Sequence, residues 1–168
     1  MISRRHALAA ALALSVLSAP SAMAEPTIGL AERRAIAAYR QDRYPAQEKA
    51  IQEAAGFAVP VEVAWDDLTI PGDAKYYSDP GYFEKTIFEP IAAGLKEVAK
   101  DKMGRDALAA KLKAIRIRFD EKTAPASNYP NGLKFDGGTF DVNWRPFSNV
   151  ADTKDRVEAV VKVLEKNL

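Results

Sequence analysis

The chain contains no cysteine, and its one histidine is His6, within the first few residues. The first absence excludes disulfides, cysteine nucleophiles and thiolate metal sites. The second leaves everything beyond His6 without an imidazole. A Ser–His–Asp triad, a histidine general base and a histidine-ligated zinc are therefore excluded there. An excess of one charge is also missing, since 24 Lys and Arg stand against 23 Asp and Glu. Without a basic excess there is no electrostatic footprint for a nucleic-acid partner, and none is expected. No apolar run reaches the roughly 20 residues that span a bilayer.

What is present begins with MISRRHALAAALALSVLSAPSAMA, residues 1–24. Arg4 and Arg5 form a positive head, residues 7–17 an apolar stretch, and Ala22-Met23-Ala24 a small-residue cleavage box. This pattern predicts a signal peptide removed before Glu25, with a periplasmic product that carries no membrane span. Ser3-Arg4-Arg5 touches the twin-arginine pattern, but Ala7 replaces the large apolar residue that usually follows the pair, so Sec is the expected route. With no cysteine there is no lipobox. Cleavage removes His6, two arginines and no acid. Residues 25–168 are expected to form one domain, long enough to bury about 68–70% of its unfolded surface.

Residues 30–55 are rich in Ala, Glu, Arg and Gln and read as helix. Pro45 must kink or restart it, and Gly56 fits its C-terminal cap. Phe57, Val59, Val61, Val63 and Trp65 fall on one face, with Glu62 and Asp66 on the other, which predicts a half-buried strand over 57–65. Pro60 places that strand at a sheet edge, where a partner strand could add to it. Ser78-Asp79-Pro80 starts a helix running to about Lys100. Phe83, Ile87, Ile91, Leu95 and Val98 form its apolar face, and Pro90 predicts a break near Phe88-Glu89. A further helix is expected over 105–113.

The remainder reads mostly as sheet. Ile115, Ile117 and Phe119 alternate with Arg116, Arg118 and Asp120, which predicts a strand with one solvated face. Residues 121–132 hold Pro125, Ser127, Asn128, Pro130, Asn131 and Gly132, all turn formers, and read as loop. Residues 133–144 form a hairpin about Gly137-Gly138. Its register opposes Leu133 to Val142, Phe135 to Phe140 and Lys134 to Asp141. A last helix over 149–168, capped by Asp152 or Thr153, carries Val157, Val160, Val161, Leu164 and Leu168. The expected fold is α+β, in the order α-β-α-α-β-β-β-α, with a small, mainly antiparallel four-stranded sheet and helices packed largely on one face.

The stretch WDDLTIPGDAKYYSDPGYFEK, residues 65–85, gathers acids and aromatics. Asp66, Asp67, Asp73, Asp79 and Glu84 are oxygen donors of the kind calcium takes, but their spacing is not that of an EF-hand loop. Local roles account for most of them: Asp79 caps a helix, Asp73 sits in a turn, and Glu84 complements a helix dipole. No metal or cofactor is expected. Trp65 and Phe83 fall on core faces. Tyr76, Tyr77 and Tyr82, with Asp67 and Asp73 nearby, form the first candidate contact surface, because tyrosine joins an apolar body to a polar tip. Arg116 and Arg118 form a second, since two guanidinium forks on one strand face suit a carboxylate or phosphate. Their ordinary role is pairing with Asp120 or Asp141.

No catalytic constellation appears. Ser78, Ser127 and Ser148 lie in no nucleophile motif, and no carboxylate pair stands out. The expectation is a small exported non-enzymatic protein that binds a protein or small ligand through its tyrosine-rich loop. The alternatives are a carboxylate-based envelope hydrolase and a calcium-dependent binding protein.

Overall fold

The computed structural model describes residues 27–168, so the expected signal peptide at 1–24 lies outside the described residues. The predicted first helix is two: α1, Leu30–Asp42, and α2, Tyr44–Ala55. They part at Arg43, because Pro45 in the first turn of α2 has no N–H to continue α1. Gly56, at φ +84°, ends α2 in the left-handed conformation that glycine takes freely. Ile36, Tyr39, Ile51 and Ala55 turn inward from this pair.

Strand β1 is only Val61–Val63, shorter than the alternation over 57–65 suggests. Leu68 N–H bonds Ala64 O and Thr69 N–H bonds Asp66 O, which turns the chain away after Ala64. A short helix α3, Ala74–Ser78, stands where loop was expected. Next comes a π-helical turn, Glu84–Phe88, and then α4, Glu89–Val98. The change of helix type falls at the predicted Phe88-Glu89 boundary, where Pro90 has no N–H to give to the preceding turn. Helix α5, Lys102–Lys111, begins with the Asp101 side chain accepting from Gly104 N–H at 2.8 Å. Strands β2 (Ala114–Arg118), β3 (Leu133–Asp136) and β4 (Thr139–Asn143) follow, and α6, Thr153–Asn167, closes the chain.

The strand order is β1-β2-β4-β3. β1 pairs parallel with β2, β2 parallel with β4, and β3 alone is antiparallel, to β4. The sheet is thus mixed and mostly parallel, which overturns the expectation of a mainly antiparallel one. The cause lies in the connections. Residues 64–113 carry three helices and the π turn from β1 to β2, ample length to return the chain in the same direction. The loop after β2 crosses to the far edge, so β3 forms there and β4 returns beside β2.

The hairpin register matches the sequence reading, with Leu133 opposite Val142, Lys134 opposite Asp141 and Phe135 opposite Phe140. Its charge pairing does not. Lys134 Nζ bonds Asp136 within the strand at 2.8 Å, and Asp141 turns to β2. One sheet face, with Ile115, Ile117, Phe140 and Val142, is fully buried in a core shared with Ile91 and Leu95 of α4 and Val160 and Leu164 of α6. Each such side chain stabilises the fold by about 1.5–3 kcal/mol. A Cβ on Gly94 would overlap the Val160 side chain, so glycine there sets how closely α4 approaches α6. Glu62, Arg116, Arg118 and Lys134 stand on the opposite, polar face.

β1 does lie at an edge, yet that edge is not open. The Tyr44 hydroxyl of α2 donates to Val61 O at 3.3 Å, and the Gln52 amide donates to Val59 O at 3.1 Å. These side chains occupy carbonyls that an added strand would need. Among the described residues no helix is long and apolar enough to cross a membrane.

Candidate functional site

The three tyrosines of the candidate loop divide. Tyr77, on α3, is buried; its hydroxyl donates to Leu68 O at 2.6 Å and accepts from Ile70 N–H at 2.8 Å. Burial pushes its pKa up to about 12, so the hydroxyl stays protonated and keeps donating. Tyr77 therefore ties the 68–70 turn to α3. Tyr76 and Tyr82 are half-buried, with ring centroids 4.6 Å apart. Tyr82 is placed by the Asx turn in which Gly81 N–H donates to Asp79 Oδ1 at 2.8 Å.

A residue that sequence reasoning passed over completes the group. The Phe147 ring lies 5.4 Å from Tyr76, 4.8 Å from Tyr77 and 5.3 Å from Phe83. Phe147 has φ +65°, an uncommon conformation for a bulky non-glycine residue that must be held by its surroundings. Its N–H donates to Thr86 Oγ1 at 3.2 Å, from the π turn. Beyond it, Asn149 is also left-handed, at φ +49°. Arg156 of α6, fully buried, donates Nη1 to Asn149 O at 2.8 Å and Nη2 to Ser148 O at 2.7 Å. Its guanidinium lies 4.2 Å from the centre of the Tyr129 ring. The available signal was periodicity: Arg156 precedes Val160 by four residues, a charged residue on the core stripe.

The result is a partly exposed aromatic cluster of Tyr76, Tyr82 and Phe147, with the Lys75 ammonium 4.8 Å from the Tyr76 ring. Among the described residues no protein hydrogen bond engages the hydroxyl of Tyr76 or Tyr82, in contrast to those of Tyr44, Tyr77 and Tyr129. Such a surface can stack an apolar ring or chain and hydrogen-bond at its rim.

The acids of the same stretch scatter. Asp67 is exposed on the turn after β1, and Asp73 is half-buried, its carbonyl accepting from Tyr76 N–H at 3.0 Å. No hydrogen bond or ion pair joins Asp67 to the tyrosines. Glu84, read from sequence as a helix-dipole acid, is instead 3% exposed. Arg43 Nη2 sits 2.6 Å from its Oε1, while Arg43 Nη1 donates to Tyr77 O and Ser78 O. The buried Tyr39 hydroxyl faces the same carboxyl without an aligned hydrogen bond. Burial raises the Glu84 pKa, and it outweighs the opposing Arg43 charge. The π turn explains why sequence misses this: its wider winding rotates Glu84 inward beside Thr86 and Ile87.

Arg116 and Arg118 stand apart, on the polar face of β2. Arg116 Nε donates to Asp141 Oδ1 at 2.7 Å, and Arg118 Nε to Asp141 Oδ2 at 3.1 Å. Burial alone would raise the Asp141 carboxyl, but the two guanidinium groups win and hold it below its ordinary range. A groove of about 770 Å³ between α2 and α4 is lined by Ala50, Ala54, Ala92, Ala93, Lys96 and Glu97 among others, and Glu84 does not reach it. Among the described residues no three acids converge as a metal site. The chain matches no family model, no curated protein and no solved structure.

Proposed function

We propose that this is a small exported, periplasmic, non-enzymatic protein that binds a protein or small ligand through Tyr76, Tyr82 and Phe147. The observation that supports this is the pair of unpartnered hydroxyls on two half-exposed, mutually packed rings, backed by a strained Phe147. Lys75 adds one cation at the rim. Tyr77 is the floor of this surface rather than part of its contact area. Arg116 and Arg118 are a weaker second surface, since both already hold Asp141. The carboxylate-hydrolase reading has less support, because Glu84, the one carboxylic acid among the described residues whose pKa is raised, lies outside the groove. The calcium reading has less again, because the loop acids do not converge.

The contact reading is tested with a photo-crosslinking residue at position 76 and, as control, at exposed Lys96, in cells. Crosslinks at 76 that vanish with Tyr82→Ala, while the thermal midpoint moves by less than about 1 kcal/mol in equivalent stability, support it. Equal crosslinking at both positions, or none, would sink it. The export reading is tested by N-terminal sequencing of protein from the periplasmic fraction, which should begin Glu25-Pro26-Thr27.

A further inference from the structure

The sheet has two edges, and α2 closes only the one at β1. At the other, the turn through Gly137 and Gly138, with φ +59° and +91°, closes a two-residue hairpin in which Asp136–Thr139 and Lys134–Asp141 are the hydrogen-bonded pairs. The backbone groups of Leu133 and Phe135 therefore point away from β4. The alternation on the other strand agrees, since Gly138 O turns outward to accept from Ala114 N–H beside β2. Leu133 N–H is taken by Pro130 O. Among the described residues nothing bonds Phe135 N–H, Phe135 C=O or Leu133 C=O.

Charges flank this open position. Lys134 and Asp136 are 71% and 73% exposed, on the same face and on either side of Phe135. A lysine on an edge strand ordinarily discourages pairing. Here the opposite charge two residues on removes that barrier for one arrangement. In an antiparallel pairing of β3 with a second β3, centred on Phe135, Lys134 of each copy faces Asp136 of the other. The two Phe135 residues then exchange N–H···O bonds across the axis. Centring on Lys134 or on Asp136 instead sets like charges opposite each other, which is unfavourable.

We propose that the β3 edge is a self-association surface, on which two copies join antiparallel about a twofold axis at Phe135 and form one continuous sheet. The contact is isologous, so it closes at two copies. The shared edge is short, so the dimer is weak and depends on protein concentration.

Sedimentation equilibrium on the protein as isolated from cells, up to ~1 mM, where weak pairings populate, should show a monomer–dimer equilibrium. Lys134→Glu alone and Asp136→Lys alone should each be monomeric, because each places two like charges against two like charges. An equimolar mixture of the two variants should dimerise again, since the acidic edge of one now complements the basic edge of the other. That recovery cannot come from a contact within one chain. A wild-type protein that stays monomeric throughout, single variants that dimerise as wild type does, or a mixture that gains nothing would each overturn the proposal. Folding of both variants is checked by circular dichroism before mixing.

Discussion

Arg156 offers the sharpest test of how the aromatic surface is held. The side chain is fully buried, and among the described residues no carboxylate lies within ion-pair distance; Asp152 instead accepts the Tyr129 hydroxyl at 2.8 Å. The perturbation is Arg156→Leu, which keeps much of the volume and removes both forks. Each hydrogen bond from a charged donor contributes about 1.5–3 kcal/mol, and stacking on Tyr129 adds roughly 0.5–2 kcal/mol. Against this stands the cost of keeping an unpaired guanidinium out of water, several kcal/mol, which leucine avoids. The freed carbonyls of Ser148 and Asn149 lie near the surface and can rehydrate. The net expectation is therefore moderate, a loss of about 2–4 kcal/mol, or roughly 6–12 °C in thermal midpoint for a chain of this size. Arg156→Lys should lose nearly as much, because one ammonium cannot fork two carbonyls and stacks poorly. The loop should also loosen, read as faster amide exchange at Phe147 and Ser148 and as reduced near-UV circular dichroism. If Arg156→Leu melts at or above wild type with Phe147 exchange unchanged, Arg156 does not hold the loop and the reasoning fails.

Two other outcomes follow from the core. Glu84 has a folded pKa above its unfolded value, so the folded state binds its proton more tightly. Its contribution is therefore most favourable at low pH and declines as pH rises from about 4.5, the unfolded value, through the raised folded one. The stability of wild type minus that of Glu84→Gln, from urea titrations, should fall over that interval; a difference that rises with pH would show that the Arg43 charge, not burial, dominates. Gly94→Ala gains about 1 kcal/mol in helix propensity but drives a methyl into Val160, so a net loss of about 1–3 kcal/mol is expected. Adding Val160→Ala should make Gly94→Ala less costly in a double-mutant cycle, and strictly additive losses would deny the contact.

Much of the local structure was legible in the residues alone. Pro45 and Pro90 mark helix boundaries because a missing N–H acts on the chain within one turn, whatever surrounds it. Gly137-Gly138 and the period-two alternation around it set the hairpin register for the same reason. The absence of cysteine and the location of the one histidine bound the chemistry without any fold. What tertiary structure decided is everything that depends on residues distant in sequence. The residues alone allowed Asp141 two partners, Lys134 across the hairpin or the arginines of β2; the parallel pairing of β2 with β4 decides for Arg116 and Arg118. Tyr76 and Tyr77 are adjacent and chemically identical, yet one reaches the surface and the other bonds Leu68 and Ile70, because a short helix rotates them about 100° apart and the core accepts only one. Glu84 turns inward through a π turn that no 3.6-residue period anticipates. Phe147 joins the tyrosines only because a buried arginine nine residues later holds its loop in a conformation the local sequence does not favour.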